Sequence, residues 1–439
     1  MKKRHLTILN INFWVFCAVF VELQAIAKDP MALNFNAYLS QVEQATLQLR
    51  LSDLARLSAQ QSLEFSKSER DPRLNLRSEF GSRTQNDLSE SEWRQHQLLG
   101  LDVAYQLFDF GAQSSKNEIA RSQLKLKQLS YEMERAQIFW LAARAYILLR
   151  GQDRILELNK EQIRIAEKNM QLQERYYRQG LRPESDFLSA KVDFGRVQLQ
   201  QQRASAEYKR ALINFLFLLD PLQKELKYNK LEVQVIQQEL AELSPSRLLK
   251  MTEKWSSTKS HLLMQKIELE SQQVDAQLEQ VKAQRWPSLN AVAAVQQSYF
   301  DQQRAERAQV QLELNWLIPW NQSSRIEQQK IKLQKQSLEL EAAIESSQKV
   351  QLWHQAQQSL RNAETEWSLL QAQIALLERQ KKLVRDRFDA GRASALELSI
   401  SETEYNQLKL DEIRIINEAE LAVVNAAQAR EIRELDFLF

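Results

Sequence analysis

Two long stretches without a helix-breaking residue constrain the fold of this chain more than any other feature. Between Gln113 and Gln179, and between Ser323 and Ala390, the only glycine or proline is Gly151. At about 1.5 Å per residue, each stretch would form a helix roughly 100 Å long. A compact domain does not contain helices of that length. The sequence therefore predicts an extended, mostly helical chain.

Apolar residues repeat along the chain with the alternating three- and four-residue spacing of a coiled coil. The clearest seam precedes Gly391 and consists of Trp353, Ala356, Leu360, Ala363, Trp367, Leu370, Ile374, Leu377, Val384 and Phe388. A less regular seam follows Gly180 and consists of Leu188, Val192, Gly195, Leu199, Ala206, Ile213 and Leu216. Such seams predict helices that pack lengthwise against other helices.

Each long stretch ends at a glycine in a chain that contains only 7 Gly and 7 Pro. We interpret Gly180 and Gly391 as left-handed residues that reverse the chain directly after a helix. Pro183 suits the first turn of a returning helix, where its missing N–H is not needed. Asp186 and Glu397 then lie near a helix N-terminus, which favours acidic side chains.

Two other segments alternate between apolar and polar residues, which is typical of strands with one apolar face. The first follows Pro72 within residues 73–108, and the second follows Pro287 within residues 288–318. Polar residues 82–96 and 301–308 divide each segment into two strands, and we expect loops there. Strands of about ten residues can cross a bilayer when tilted.

The two halves of the chain read as a tandem repeat. PRLN at 72–75 recurs as PSLN at 287–290, and Gly180 corresponds to Gly391 at nearly the same offset. Each half contains a helix, a strand hairpin, a very long helix, a tip turn and a returning helix. The predicted organisation is a signal peptide (1–27), a first repeat (28–219), an equatorial connection (220–245), a second repeat (246–430) and a C-terminal segment (431–439). Within the repeats we expect long helices at 113–179 and 323–390, and tip turns at 180–183 and 391–394.

The first residues have the pattern of a secretory signal peptide. Three basic residues precede an apolar run, and Ala25-Ile26-Ala27 fits a small-x-small cleavage site. Of the 59 basic and 57 acidic residues, three basic and one acidic lie in 1–27, so the mature chain is formally neutral. Its balance does not favour nucleic acid. The single cysteine, Cys17, lies in the signal, which leaves no disulfide or thiol site.

No pattern in the sequence indicates an enzyme. The four His are scattered, and no nucleophile–base grouping, phosphate-binding loop or zinc-ligand spacing occurs. We therefore expect no metal and no cofactor.

The chain resembles the TolC family of outer-membrane efflux proteins over essentially the whole mature sequence. The resemblance rests on YQLFDFGAQ at 105–113, the two glycine-containing tips and the internal repeat. It implies a homotrimer of the Gram-negative outer membrane. Each subunit gives four strands to a 12-stranded β-barrel, and its helices continue as a hollow α-helical barrel in the periplasm.

The resemblance also implies a passive duct. Its tips bind a periplasmic adaptor, which connects it to an inner-membrane pump or ABC exporter for efflux or type I secretion. The implied adaptor-docking residues are Gly180, Leu181, Arg182, Gly391, Arg392, Ala393 and Ser394. The implied pore constriction is Asp186, Glu397 and Phe388, and the implied residues facing lipid or the aromatic girdles include Phe80, Tyr105 and Trp316.

Two departures from the family concern the closed tip. The family has two acidic residues after the second tip glycine, whereas this chain has Glu397 followed by Ile400. A family tyrosine is replaced by Phe388, which has no hydroxyl for a hydrogen bond to Asp186. The resemblance therefore implies a weaker or differently connected latch.

Two alternative functions remain. A periplasmic adaptor also has a long helical hairpin, but it has only one, flanked by Gly-rich β domains that this sequence lacks. A structural coiled coil would explain the heptads and leave both strand hairpins unexplained.

Overall fold

The computed structural model describes residues 31–87, 90–219, 233–235, 244–257, 261–300, 303–316, 323–433, 435 and 438. The predicted signal peptide and most of the 220–245 connection lie outside these residues. The chain divides into two compact units. Among the described residues, the hairpin unit contains those within 31–49, 134–257 and 348–438, and the sheet unit contains those within 50–133 and 261–347.

The described residues are mostly helical, with one four-stranded antiparallel sheet, which confirms the predicted fold class at this level. Two helices have 67 residues each, and the helix that follows each of them has 36. In chain order the elements are β1 (Met31–Leu33), α1 (Phe35–Ala45), α2 (Leu47–Ser68), β2 (Arg73–Asp87), β3 (Glu90–Phe108), α3 (Ala112–Arg178), α4 (Glu184–Leu219), β4 (Val233–Val235), α5 (Pro245–Glu253), α6 (His261–Ala283), β5 (Ser288–Phe300), β6 (Gln303–Asn315), α7 (Ser323–Asp389) and α8 (Ala395–Arg430).

The sheet of the sheet unit has the order β2-β3-β5-β6, so β3 pairs with β5 and joins the two strand hairpins. The register places Leu74, Val103, Ala293 and Val310 on one line across the four strands. Leu74 and Val310 on this line are 66% and 86% exposed. The alternation in the sequence thus produces one apolar face, which is open in the single chain.

The strands are longer than the sequence predicts, and the expected loops at 82–96 and 301–308 were wrong. Strand pairing continues through 82–87 with 90–95, and β6 begins at Gln303. Both segments are polar, so they show no period-two apolar signal. Backbone hydrogen bonds between the strands extend the hairpins without it.

The core of the hairpin unit joins the N-terminal helix α1 to α3 and α4. The Tyr38 ring stacks on Phe215 with 3.9 Å between centroids, and its hydroxyl donates to the Phe215 carbonyl. Phe35 meets Tyr146 edge to face. Helix α3 also packs closely on α8, because a Cβ added at Gly151 would lie 1.9 Å from the Asn417 amide nitrogen.

A buried ion pair lies beside this crossing of α3 and α8. Arg150 and Glu420 have no exposed side-chain surface, and the Arg150 Nη2 donates to the Glu420 carboxylate at 2.8 Å. The Arg150 Nη1 donates to the carbonyl of Leu438 at 2.8 Å, and Trp140 Nε1 donates to the carbonyl of Ile432. The final residues of the chain are therefore bonded directly to α3.

The two predicted seams differ in what covers them. The α7 seam packs within the chain, with Leu360 fully buried and Trp353 packed on Ala426 and Ala429 of α8. The α4 seam does not, which differs from the expectation for a packed helix. Its exposed members are Leu188 (50%), Val192 (64%), Leu199 (48%) and Ile213 (52%).

Candidate functional site: the hairpin tips

The first tip reverses the chain between α3 and α4 at a left-handed glycine. Gly180 has φ of 71°, a value that L side chains rarely adopt. Its N–H donates to the Tyr177 carbonyl, and the Leu181 N–H donates to Tyr176, both at 2.9 Å. This hydrogen-bond pair is a Schellman motif, which satisfies the last carbonyls of a helix.

The second tip, between α7 and α8, has the same construction. Gly391 has φ of 72°. Its N–H donates to the Phe388 carbonyl at 2.9 Å, and the Arg392 N–H donates to Arg387 at 2.7 Å. Both glycines thus have the conformation that the sequence predicts.

Ser394 begins the returning helix α8 through a capping contact that the sequence interpretation missed. Its Oγ accepts a hydrogen bond from the Glu397 N–H at 3.1 Å, and the Ser394 hydroxyl donates to the Glu397 carboxylate at 3.5 Å. The S-x-x-E spacing of a capping box was the signal that could have revealed it. At the first tip, Asp186 occupies the corresponding first turn of α4.

The three residues expected at a pore constriction lie close to the tips, and within the described part of the chain no hydrogen bond or ion pair joins them to one another. Asp186 lies 3.8 Å from Arg182, and Glu397 lies 3.9 Å from Arg387, each within its own hairpin. Phe388 is half-buried. Glu397 keeps about half of its side chain exposed.

The expected docking residues differ in accessibility. Leu181 is 65% exposed, and Gly391 and Arg392 are also exposed. Ala393 is only 5% exposed, so its side chain is not available to a partner. Ala393 therefore supports the turn from inside rather than forming part of a contact surface.

The two returning helices meet behind the tips. The Ser399 hydroxyl of α8 donates to the Asp193 carboxylate of α4 at 3.3 Å. Next to this contact is a cavity of about 30 Å³ lined by α3, α4 and α8, including the buried Gln173 and the half-buried Asp186. A cavity of this volume has room for about one water molecule.

A buried carboxylate lies farther along α8. Glu402 is 8% exposed, bonds with Asn169 of α3, and is close to Arg385 and Lys381 of α7. Burial raises the pKa of Glu402, whereas the two cations lower it. No local pattern in the sequence indicates the burial of Glu402, because an acidic residue in a charged helix usually faces solvent.

The residues expected at the membrane are exposed on the sheet unit. Phe80 is 78% exposed, Tyr105 40% and Trp316 54%. At the strand-to-helix junction Phe110, with φ of 54°, stacks on Trp286 of the other repeat. Tyr105 and Trp316 lie at the end of the sheet next to this junction, whereas Phe80 lies seven residues farther along β2. Exposed aromatic residues near the ends of an apolar strand face are typical of a membrane interface.

Among the described residues, no helix is both long enough and apolar enough to span a bilayer. Within the same residues, no group of three or more His, Cys, Asp or Glu side chains is arranged to hold a metal ion.

Residues 38–219, from α1 to the end of α4, match the model of a family described as outer membrane efflux protein. Among curated proteins, none matches this chain.

Three solved structures have the same fold at low identity. The Campylobacter jejuni CmeC outer membrane channel has a TM-score of 0.73 and 14% identity, covering 92% of this chain and 87% of CmeC. CusC has a TM-score of 0.72 and 14% identity, and the match covers 90% of this chain and 91% of CusC. The outer membrane protein VceC from Vibrio cholerae has a TM-score of 0.70 and 13% identity, and the match covers 90% of this chain and 95% of VceC. The family match over residues 38–219, together with this shared fold, confirms the resemblance to the TolC family of outer-membrane efflux proteins.

Proposed function

We propose that this chain is one of three identical subunits of a passive duct through the outer membrane. The observation that best supports this is the sheet, whose apolar face is exposed and whose edge strands β2 and β6 lack partners among the described residues. Four strands cannot close a barrel, and open edges are not tolerated in lipid. Three copies would supply a closed 12-stranded barrel.

The helices of the sheet unit also carry apolar faces that need a partner. In α2, Leu51 and Phe65 are each 68% exposed, and in α7 Leu333 and Leu340 are 66% and 67% exposed. Large apolar side chains exposed at helical spacing indicate a surface that another helix covers. A second copy of the chain satisfies this requirement together with the open sheet edges.

The duct would carry cargo delivered by an inner-membrane pump or ABC exporter through a periplasmic adaptor, in efflux or type I secretion. The tips are the natural docking points, because Gly180 and Gly391 end two long hairpins and Leu181 is exposed there. The identical Schellman turns and the two strand hairpins also support a twofold internal repeat.

Mass measurement of the purified protein in mild detergent tests the assembly. We expect three chains that each lack residues 1–27, recovered from the outer-membrane fraction. A monodisperse, water-soluble monomer would refute both the trimer and the barrel.

Within the duct, Glu397 is the proposed constriction residue. Threefold symmetry would gather three carboxylates, which together attract cations, especially multivalent ones. In planar-bilayer recordings, Glu397→Gln should abolish block by trivalent cations added from the periplasmic side. Glu184→Gln removes an exposed first-turn acid at the other tip and is the matched control. If block is absent in the wild type, or persists in Glu397→Gln, Glu397 is only a helix-capping charge.

A further inference from the structure

Helix α4 carries an apolar stripe with a basic edge, which we name the basic stripe. The apolar residues Leu188, Val192, Leu199 and Ile213 are exposed. Arg196, Arg203 and Arg210 follow one edge of this stripe at seven-residue intervals, and all three are exposed. Seven residues bring a helix back to nearly the same face, so the arginines form one row.

Helices α7 and α8 form an open groove with the complementary composition, which we name the acidic groove. Its volume is about 620 Å³, and its apolar lining is Leu376, Leu377 and Leu408. Leu369 and Leu383 extend this lining along α7, since each lies seven residues from Leu376 and is more than 60% exposed. The rim on α8 is a row of Glu404, Asp411 and Glu418, again at seven-residue intervals.

Contacts inside the hairpin unit fix the relative heights of these two surfaces. Leu376 and Leu408 line the same groove, so they lie at about the same height. On the other side of α8, Leu410 and Ala204 belong to one core cluster. Arg203, next to Ala204, therefore lies within about two residues of Leu376 along the helix axis. Because both rows have a seven-residue spacing, Arg196 then matches Leu383 and Arg210 matches Leu369.

The acidic row matches the same heights. Ser399 bonds Asp193, and Leu410 packs with Ala204, so α8 and α4 run in parallel with a constant offset. With that offset, Asp411 lies within about two residues, or roughly 3 Å along the axis, of Arg203. Glu404 and Arg196 are related in the same way, as are Glu418 and Arg210.

The present ion pairs of the two charged rows would compete only weakly with a contact between the rows. Arg196 pairs with Asp193 at 3.3 Å, Arg210 with Glu207 at 2.9 Å and Asp411 with Arg414 at 3.2 Å, and each pair lies within one helix with its arginine exposed. Arg203 has no ion pair among the described residues. Exposed pairs of this type contribute little, so the arginines can exchange partners at small cost.

We propose that the basic stripe of one subunit lies in the acidic groove of the next, which identifies the surfaces that join the helical hairpins of the proposed trimer. Cyclic symmetry has no translation along its axis, so two surfaces on one chain can meet only if their heights agree. These surfaces agree in height, spacing, apolar content and charge. Because the two surfaces differ, the contact is head-to-tail, and repetition around the axis closes a ring.

The contact gives Gly195 a role. A Cβ built at Gly195 would have no atom within 4 Å, so this position is an open notch in the basic stripe. Leu383 lies at the height of Gly195 by the same alignment. The neighbour's Leu383 side chain therefore enters the notch between Val192 and Leu199.

Cysteine cross-linking in the intact assembly tests the proposal, which rests on the proposed trimer. The sequence has one cysteine, Cys17, inside the predicted signal, so introduced cysteines are the only ones in the mature chain. The variant Gly195→Cys/Leu383→Cys should form covalent dimers and trimers under mild oxidation, and neither single variant should form trimers. Gly195→Cys/Leu369→Cys is the control, because Leu369 lies 14 residues from Leu383 along α7, about 21 Å away.

The outcomes separate this inference from the proposed function. A native mass of three chains with efficient cross-linking of the matched pair only supports the contact. A native mass of three chains without cross-linking, or with equal cross-linking of the control pair, overturns the contact and leaves the trimer intact. A monomer by mass overturns both.

Charge exchange supplies an independent measurement. Arg203→Asp should lower the temperature at which the trimer dissociates in detergent, and Asp411→Arg in the same chain should restore most of the loss. If the double variant is less stable than both single variants, the two rows do not face each other. If an added periplasmic partner protein restores the stability of Arg203→Asp and Asp411→Arg does not, the groove binds that other protein and the proposal is overturned.

Discussion

Replacing Arg150 with methionine should release the C-terminal residues from helix α3. Arg150 is fully buried and donates both to the Glu420 carboxylate and to the Leu438 carbonyl, at 2.8 Å each. Methionine fills much of the same space but can make neither bond. The variant therefore leaves a buried carboxylate and a buried carbonyl without their main donor.

The magnitude follows from the burial of the pair. Removing one partner of a buried ion pair costs about 3–5 kcal/mol, because the remaining charge stays out of water. Arg154 lies close enough for its charge to act on Glu420, so we take the lower end, about 3 kcal/mol. Burial raises the pKa of Glu420, and without Arg150 the carboxyl would take up a proton more readily, which also limits the loss.

Hydrogen exchange of the backbone amides measures this loss locally. Ile432 donates to Ala427, and Leu438 donates to Leu435, so both amides report opening of the C-terminal residues. A loss of about 3 kcal/mol corresponds to a decrease in protection of roughly 100-fold.

Two variants separate the buried pair from general destabilisation. Arg150→Met/Glu420→Leu should recover protection to within about tenfold of wild type, because no uncompensated charge remains. Lys160→Met breaks an exposed pair with Glu157 on the same helix and should change protection less than about fivefold. If Arg150→Met costs less than tenfold, or the double variant is as damaged as the single one, the buried pair does not hold the C-terminal residues.

Three further predictions concern single positions. Gly151→Ala should lower the unfolding temperature despite the better helix propensity of alanine, because its Cβ would overlap Asn417, and Asn417→Ala should reverse the effect. Gly391→Val should reduce export while trimer level measured by native gel is retained, since a β-branched residue at φ of 72° is strained by about 1–3 kcal/mol; normal efflux would argue against tip docking. Burial raises the pKa of Glu402, so the protonated carboxyl contributes stability below the ordinary pKa of glutamate. This contribution is lost as the pH rises through the raised pKa of the folded protein. Glu402→Gln should therefore stabilise the protein at pH 7 and lose that advantage near pH 4 in thermal melts, whereas an unchanged difference across this range would mean that Glu402 does not titrate there.

Much of the fold could be read from the sequence because its signals are local. The absence of helix breakers predicted α3 and α7 to within one residue of their ends. Gly180 and Gly391 marked the tips, because a left-handed residue directly after a helix is usually glycine, whatever the neighbouring sequence. The apolar alternation located the hairpin strands, but it ended where both faces became polar. The pairing of residues 82–87 with 90–95 could therefore not be predicted from the sequence.

The tips were only partly predictable. The sequence placed Asp186 and Glu397 correctly in the first turns of their helices, because that position follows from the turn. It did not identify Glu402, whose burial depends on residues of α3 and α7 that are distant in the chain. The resemblance also implies that Ala393 is a docking residue, although the turn directs its side chain inward and leaves it 5% exposed.

The sequence by itself determined the lengths of the helices, the positions of the turns and the existence of apolar stripes. Only the tertiary structure decided which stripe is covered within the chain and which is not. The α7 seam found a partner in α8, whereas Val192 and Leu199 of α4 stayed exposed. The reason is that periodicity defines a helix face within a few turns, while its partner depends on the heights at which separate helices meet. Those heights are set by long-range contacts such as Ser399 with Asp193, which no local pattern specifies.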